Sequence, residues 1–317
     1  MRHLPTTALA LSSIALLVSC GSDDAGGPDS ATDAPLIVAT TSIWADVTAN
    51  VACDGLARVD EVIPRGADPH SFEPSLRDRE SMDGADLVVA NGLDLEESLA
   101  DTIDAVESDG VPVLRVGEGL DPVPVGDASH DDDHEDDHGD EDPHVWWDPT
   151  RVAAAVPLIA DSLVDVGLDP ARVGACADRY VDELARLDDD VQAIVAALPT
   201  DERILVTNHD SLGYFADRYG FEVIGTVIPS SSSLAAPSAS ELDDLAEKIQ
   251  ATGVPAIFAD TQNSSADADA LAKRLGDVEV VSLLTGTLDE PGTDAGTYVG
   301  WLRSNATMIV DALGEVG

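Results

Sequence analysis

Short, mostly apolar runs punctuate this chain, and between them apolar positions recur at three- and four-residue steps. The runs 36–40, 59–63, 87–90 and 113–116 read as strands covered on both faces. The segments between them, 42–52, 75–82 and 95–107, read as helices, the first capped by Thr41 or Ser42. The helical period then dominates. It predicts a helix over 149–166 and a long one over 172–198, where Tyr180, Leu184, Leu187, Val191, Ile194 and Leu198 form one stripe before Pro199 ends it. The alternation restarts with strands at 204–207, 222–228, 256–259 and 278–284. Helices follow at 211–219, 240–252 (with Ser240 as N-cap), 266–275 and 297–313. Strands alternating with helices predict an α/β chain with parallel sheets. Its length allows two lobes, 36–171 and 200–317, joined by the helix at 172–199.

Two segments stand outside this rhythm. Residues 1–20 combine Arg2, an apolar stretch over 8–18 that is too short for a membrane span, and Leu17-Val18-Ser19-Cys20, a lipobox pattern. The expectation is a lipoprotein signal peptide cleaved to leave Cys20 lipidated, with a Gly/Ser/Asp/Pro tether at 21–35. The alternative is an ordinary secretory signal with an incidental cysteine. Residues 126–142 hold ten acidic residues and His130, His134 and His138 at four-residue spacing. Such a segment cannot bury a core and is expected to be a loop, collecting divalent cations or simply solvated.

Charge narrows the possible partners. With 62 Asp and Glu against 16 Lys and Arg, the formal net charge is −46, and the lysines are Lys248 and Lys273 alone. That surface repels nucleic acid and anionic lipid. It attracts cations, and it also suits a saline habitat. Beyond Cys20 there are two cysteines, Cys53 and Cys176. In an exported chain they are expected to form one disulfide; a free-thiol pair or metal ligation are the alternatives, and neither cysteine has Cys-x-x-Cys spacing.

The candidate chemistry lies in histidine. Setting aside His3 and the three in the acidic tract, three of seven remain: His70 in GADPH, His144 in DPHVWW and His209 in VTNHD. Each sits in a loop beside a predicted strand, which is how a metal site is assembled from distant segments. Three imidazoles favour zinc over the oxygen-seeking magnesium and calcium. A carboxylate or water would complete the set, with Asp260 and Asp289 as candidates because each follows a late apolar strand.

Six stretches, GADPHSFEPS (66–75), NGLDLE (91–96), DPHVWWDP (142–149), VTNHDSLGYFADRYG (206–220), FADTQNSS (258–265) and GTYVGWLRSN (296–305), resemble the metal-binding solute-binding lipoproteins of zinc and manganese ABC transporters, the ZnuA/TroA-like cluster. The resemblance runs over nearly the whole mature chain. It implies two Rossmann-like lobes joined by a rigid helix, with a metal held between them by His70, His144 and His209. It further implies that zinc members often carry a loop like 126–142. Many members have Asp early in the loop before the final helix, where this chain has Gly286, so Asp289 or water is expected to substitute. Manganese members tend to replace the third His by a carboxylate. Retention of His209 therefore points to Zn²⁺, with Mn²⁺ the alternative. The expected role is that of a monomer, lipid-anchored outside the membrane, handing its ion to a permease and ATPase. A zinc hydrolase is the rival from another class, but the chain has no His-Glu-x-x-His and no evident nucleophile–base pair. A surface adhesin or zinc buffer is a second rival. A siderophore carrier fits poorly, because few aromatics are present to line its pocket.

Overall fold

The computed structural model describes residues 34–124 and 141–314. The signal segment with Cys20, the tether and nearly all of the acidic histidine tract lie outside the described residues.

The first lobe runs β1 (Leu36–Ala39), α1 (Ser42–Val51), β2 (Arg58–Glu61), α2 (Leu76–Asp83), β3 (Leu87–Ala90), α3 (Ala100–Ser108) and β4 (Val113–Arg115). Its four strands are parallel in the order β2-β1-β3-β4. Then come α4 (Pro149–Asp165) and the 26-residue α5 (Pro170–Val195), about 39 Å long at 1.5 Å per residue. The second lobe, β5 (Ile204–Thr207), α6 (Gly213–Tyr219), β6 (Glu222–Thr226), α7 (Ala239–Thr252), β7 (Ala256–Asp260), α8 (Ala266–Leu275) and β8 (Glu279–Leu283), repeats the topology as β6-β5-β7-β8, again parallel. The closing helix α9 (Tyr298–Gly314) lies against α5 and also touches α1 of the first lobe.

Local chemistry explains most boundaries. Thr41 caps α1 by accepting from the Trp44 N–H. Ser75 makes a reciprocal capping box with Asp78 at the start of α2. α4 and α5 each open with Asp at the cap and Pro in the first turn. Ser238, and not Ser240, caps α7, because Glu241 stands three residues on and its carboxylate accepts from the Ser238 N–H at 2.7 Å. The buried stripe includes Tyr180, Leu184, Leu187 and Val191 as expected, then Val195 in place of Ile194, with Leu198 buried just beyond the end of α5.

One helix begins late. The expected start of α3 at 95 is delayed to Ala100, since Gly92, Leu93 and Asp94 all adopt positive φ (77°, 55° and 57°) and turn the chain left-handed.

Cys53, just after α1, is disulfide-bonded to buried Cys176 in α5. The bond closes a loop of 123 residues. Replacing both cysteines by serine is expected to lower the unfolding free energy by about 2–4 kcal/mol. Urea denaturation of the oxidised and double-mutant proteins, read as the midpoint shift, checks this.

Across the cleft the lobes are hydrogen-bonded. Ser42 Oγ accepts from Leu288 N (2.9 Å) and Gly66 N donates to Thr287 Oγ1 (3.0 Å). Trp146 Nε1 donates to Thr285 O (2.9 Å), and the Arg65 guanidinium donates to the carbonyls of Gly296 and Asp289. Ser233 Oγ closes the series on Asp68 Oδ2 at 2.6 Å. So many contacts across the cleft, with α5 spanning behind it, leave little freedom for wide opening.

Candidate metal centre

The two lobes meet at the carboxyl ends of their strands, the expected place for a ligand in parallel α/β architecture. His70 lies in the turn after β2, His209 directly after β5. His144 follows no strand; it opens a single 3₁₀ turn, Val145–Trp147, ahead of α4. All three side chains are buried.

Both Asp-Pro-His motifs work the same way locally. Asp68 Oδ1 accepts from the His70 backbone N–H at 3.2 Å, and Asp142 Oδ1 from the His144 backbone N–H at 2.9 Å. These are Asx turns, which aspartate makes with the backbone two residues on. They fix the backbone from which each imidazole leaves.

The rings converge. His70 Nε2 stands 3.4 Å from His144 Nε2, which stands 3.3 Å from His209 Nε2. The far nitrogens face carboxylates. His144 Nδ1 donates to Asp142 Oδ1 and His209 Nδ1 to Asp260 Oδ2, each at 2.8 Å, and Asn208 Nδ2 donates to the same Asp260 oxygen at 3.0 Å. A proton held on Nδ1 leaves the Nε2 lone pair free, so two of the rings aim acceptors into the centre. The cavity between them has a volume of about 10 Å³ and is also walled by Asp68, Leu95, Trp146, Gln262 and Gly286. That is room for about one water-sized sphere, and no room for an organic ligand.

The spacing is chemically specific. Tetrahedral zinc with Zn–N bonds of about 2.0–2.1 Å has ligand–ligand edges of about 3.3–3.4 Å, whereas octahedral bonds of that length give about 2.9 Å. The observed separations match the tetrahedral edge.

Burial, and then the two neighbouring imidazoles, push the His70 pKa down to about 2, so this ring stays neutral. Burial would also lower His209. The Asp260 carboxylate on its Nδ1 outweighs that and holds His209 above its ordinary value of 6.5. Asp260 is correspondingly held below the usual carboxylate range, its burial overcome by His209.

Two expectations are corrected. Asp289 is not brought to the cluster. Its carboxylate accepts from the Glu290 N–H at 2.8 Å and its carbonyl from Arg65. Among the described residues, the histidine group with ligand atoms within 4.8 Å of one another contains no carboxylate. Asp260 stands behind His209 rather than beside it. The fourth face is instead formed by Gly286 and Gln262, whose amide donates to Thr285 Oγ1 at 2.8 Å. A Cβ at 286 would come within 3.0 Å of the Gln262 amide nitrogen and 3.2 Å of Pro69. The Nδ1 acceptors were not identified from the sequence, although the Asp-Pro-His spacing was a usable signal for Asp142.

Comparisons with known proteins agree with this architecture. The family model described as zinc-uptake complex component A, periplasmic, matches residues 37–312. Zinc-binding protein TroA of Treponema pallidum is 33% identical over 297 residues, covering 91% of this chain and 92% of that protein. Manganese-binding lipoprotein MntA of Halalkalibacterium halodurans is 27% identical over 304 residues, covering 95% of this chain and 96% of that protein. The solved structure of the periplasmic zinc-binding protein TroA from Treponema pallidum superimposes with a TM-score of 0.79 at 30% identity, over 88% of this chain and 99% of that one. With its paired parallel sheets, its long α5 and its three facing imidazoles, the chain belongs to the periplasmic zinc-uptake complex component A family.

Proposed function

We propose that this protein captures Zn²⁺ outside the membrane on His70, His144 and His209 and delivers it to the permease of an ABC transporter driven by its ATPase. The observation that carries the reading is the pair of Nε2 separations, 3.4 and 3.3 Å, which match two edges of a tetrahedral zinc site. With no carboxylate in the histidine group among the described residues, nitrogen donors dominate, which favours Zn²⁺ over Mn²⁺. A water fits the remaining position beside Gly286. The small, walled cavity favours carriage over hydrolysis, because a substrate has no room beside the ion. The periplasmic and lipoprotein names of the relatives support the same compartment and an anchor at Cys20.

Metal content and competition titration on the chain from residue 34 onward test the proposal, with and without 127–141. One tight Zn²⁺ in both forms, displacing Mn²⁺, is the expected result. Loss of tight binding with the tract would overturn it.

The pH dependence has a definite sign. A proton on His209 competes with the metal, and its pKa lies above 6.5. Affinity is therefore full above the raised His209 pKa and falls as pH drops below it, by about tenfold per unit for each proton displaced. His70, neutral down to about 2, adds no competition. Asp260→Asn removes the carboxylate that raises His209. The fall should then begin at a lower pH, while the plateau affinity at high pH weakens by about 10–100-fold through loss of ring orientation. Titrations repeated across pH separate the two effects.

A further inference from the structure

Two of the three imidazoles have a carboxylate at hydrogen-bonding distance on Nδ1; His70 does not. Its Nδ1 is buried and without a hydrogen-bond partner among the described residues, on a side chain only 3% exposed. The carboxylate facing it is Glu97, with Oε1 at 3.5 Å and a side chain 38% exposed. A metal on Nε2 leaves the proton on Nδ1, and a buried N–H without an acceptor is costly.

The loop that carries Glu97 is unusually constrained. Gly92, Leu93 and Asp94 hold three successive left-handed conformations, two of them on residues with side chains. Buried Glu96 keeps them there, accepting from Asn91 N (2.8 Å), Gly92 N (3.2 Å) and Thr40 Oγ1 (2.5 Å). Asn91, oriented by Trp44 Nε1 at 2.8 Å, donates through Nδ2 to Pro143 O at 3.0 Å, the carbonyl just before His144. On the other side Ser98 Oγ donates to His70 O at 3.2 Å. One strained turn therefore grips the backbone beside both first-lobe histidines and presents Glu97 to the ring of one of them.

We propose that Glu97 is the positioning residue of His70, the third carboxylate arm of the centre, which accepts a hydrogen bond from the Nδ1–H when metal binds Nε2. The inference rests on the zinc-binding reading above. Glu97 lies outside the cavity and half in solvent, so substitutions there leave the fold in place.

The test is Zn²⁺ competition titration of the wild-type chain, His144→Ala, Glu97→Ala and Glu97→Gln, with the visible spectrum of the Co²⁺ form and the melting temperature of each. Glu97→Ala should weaken Zn²⁺ by about tenfold or more and alter the Co²⁺ bands, with an unchanged melting temperature. Glu97→Gln, whose amide oxygen can still accept, should restore affinity to within about threefold of wild type. Wild-type affinity in Glu97→Ala would overturn the proposal, and so would a Gln variant as weak as the Ala one, which would assign the effect to net charge. If His144→Ala binds as well as wild type, the histidine site itself is refuted; if it does not, the Glu97 results bear on Glu97 alone.

Discussion

Replacing His144 by alanine should lower Zn²⁺ affinity by at least about 100-fold, more than loss of any ring-orienting carboxylate. His144 is the middle member of the cluster, with Nε2 contacts to both other rings. Its removal leaves two imidazole ligands in place of three. The alanine also strands Asp142, a buried carboxylate whose Oδ1 serves the His144 ring and backbone together. The variant should fold, because the Asx turn to the backbone N–H survives. A competition titration showing wild-type affinity would sink the three-imidazole site.

The largest stability effect is expected at Trp301. Its indole is fully buried and its ring centroid lies 4.5 Å from Trp147 and 5.9 Å from Tyr298, while Trp147 meets Phe215 at 5.7 Å. The cluster joins α9, α6 and the segment carrying His144, so it ties the second lobe and the closing helix to the metal-bearing turn. Tyr298 extends it by donating its hydroxyl to Trp146 O at 2.7 Å. Trp301→Ala empties the middle of a close-packed group and should cost about 3–5 kcal/mol. Urea unfolding of the variant and the parent gives the difference directly. A loss well under about 1 kcal/mol would mean that the helices collapse into the space and that the cluster is not rigid.

Much of this molecule is legible in its sequence. The inner strands β1, β3, β5 and β7 are short, mostly apolar runs because both faces of a parallel sheet are covered, and β3 is buried at every position. The long helix shows as a stripe that survives in Tyr180, Leu184, Leu187 and Val191. His70 and His144 stand out because turn chemistry is local, each Asp-Pro-His forming an Asx turn, and His209 because it follows an apolar strand. The misread helix starts were also local. The delayed α3 follows from three left-handed residues that periodicity does not encode, and the α7 cap from a choice between two serines that the position of Glu241 decides.

The sequence by itself determined the order of elements, the two-lobed parallel architecture and the three imidazoles, because period and turn preference act within a few residues. Only the tertiary structure decided what surrounds those imidazoles. It placed Asp260 behind His209 across 51 residues, drew Asp289 away to the Glu290 backbone and Arg65, and left Gly286 and Gln262 as the fourth wall. It also brought the His70 turn against the loop carrying Glu97 and Ser98. These relations depend on where loops from different strands come to rest, a matter of sheet register and interlobe packing that no window of sequence contains.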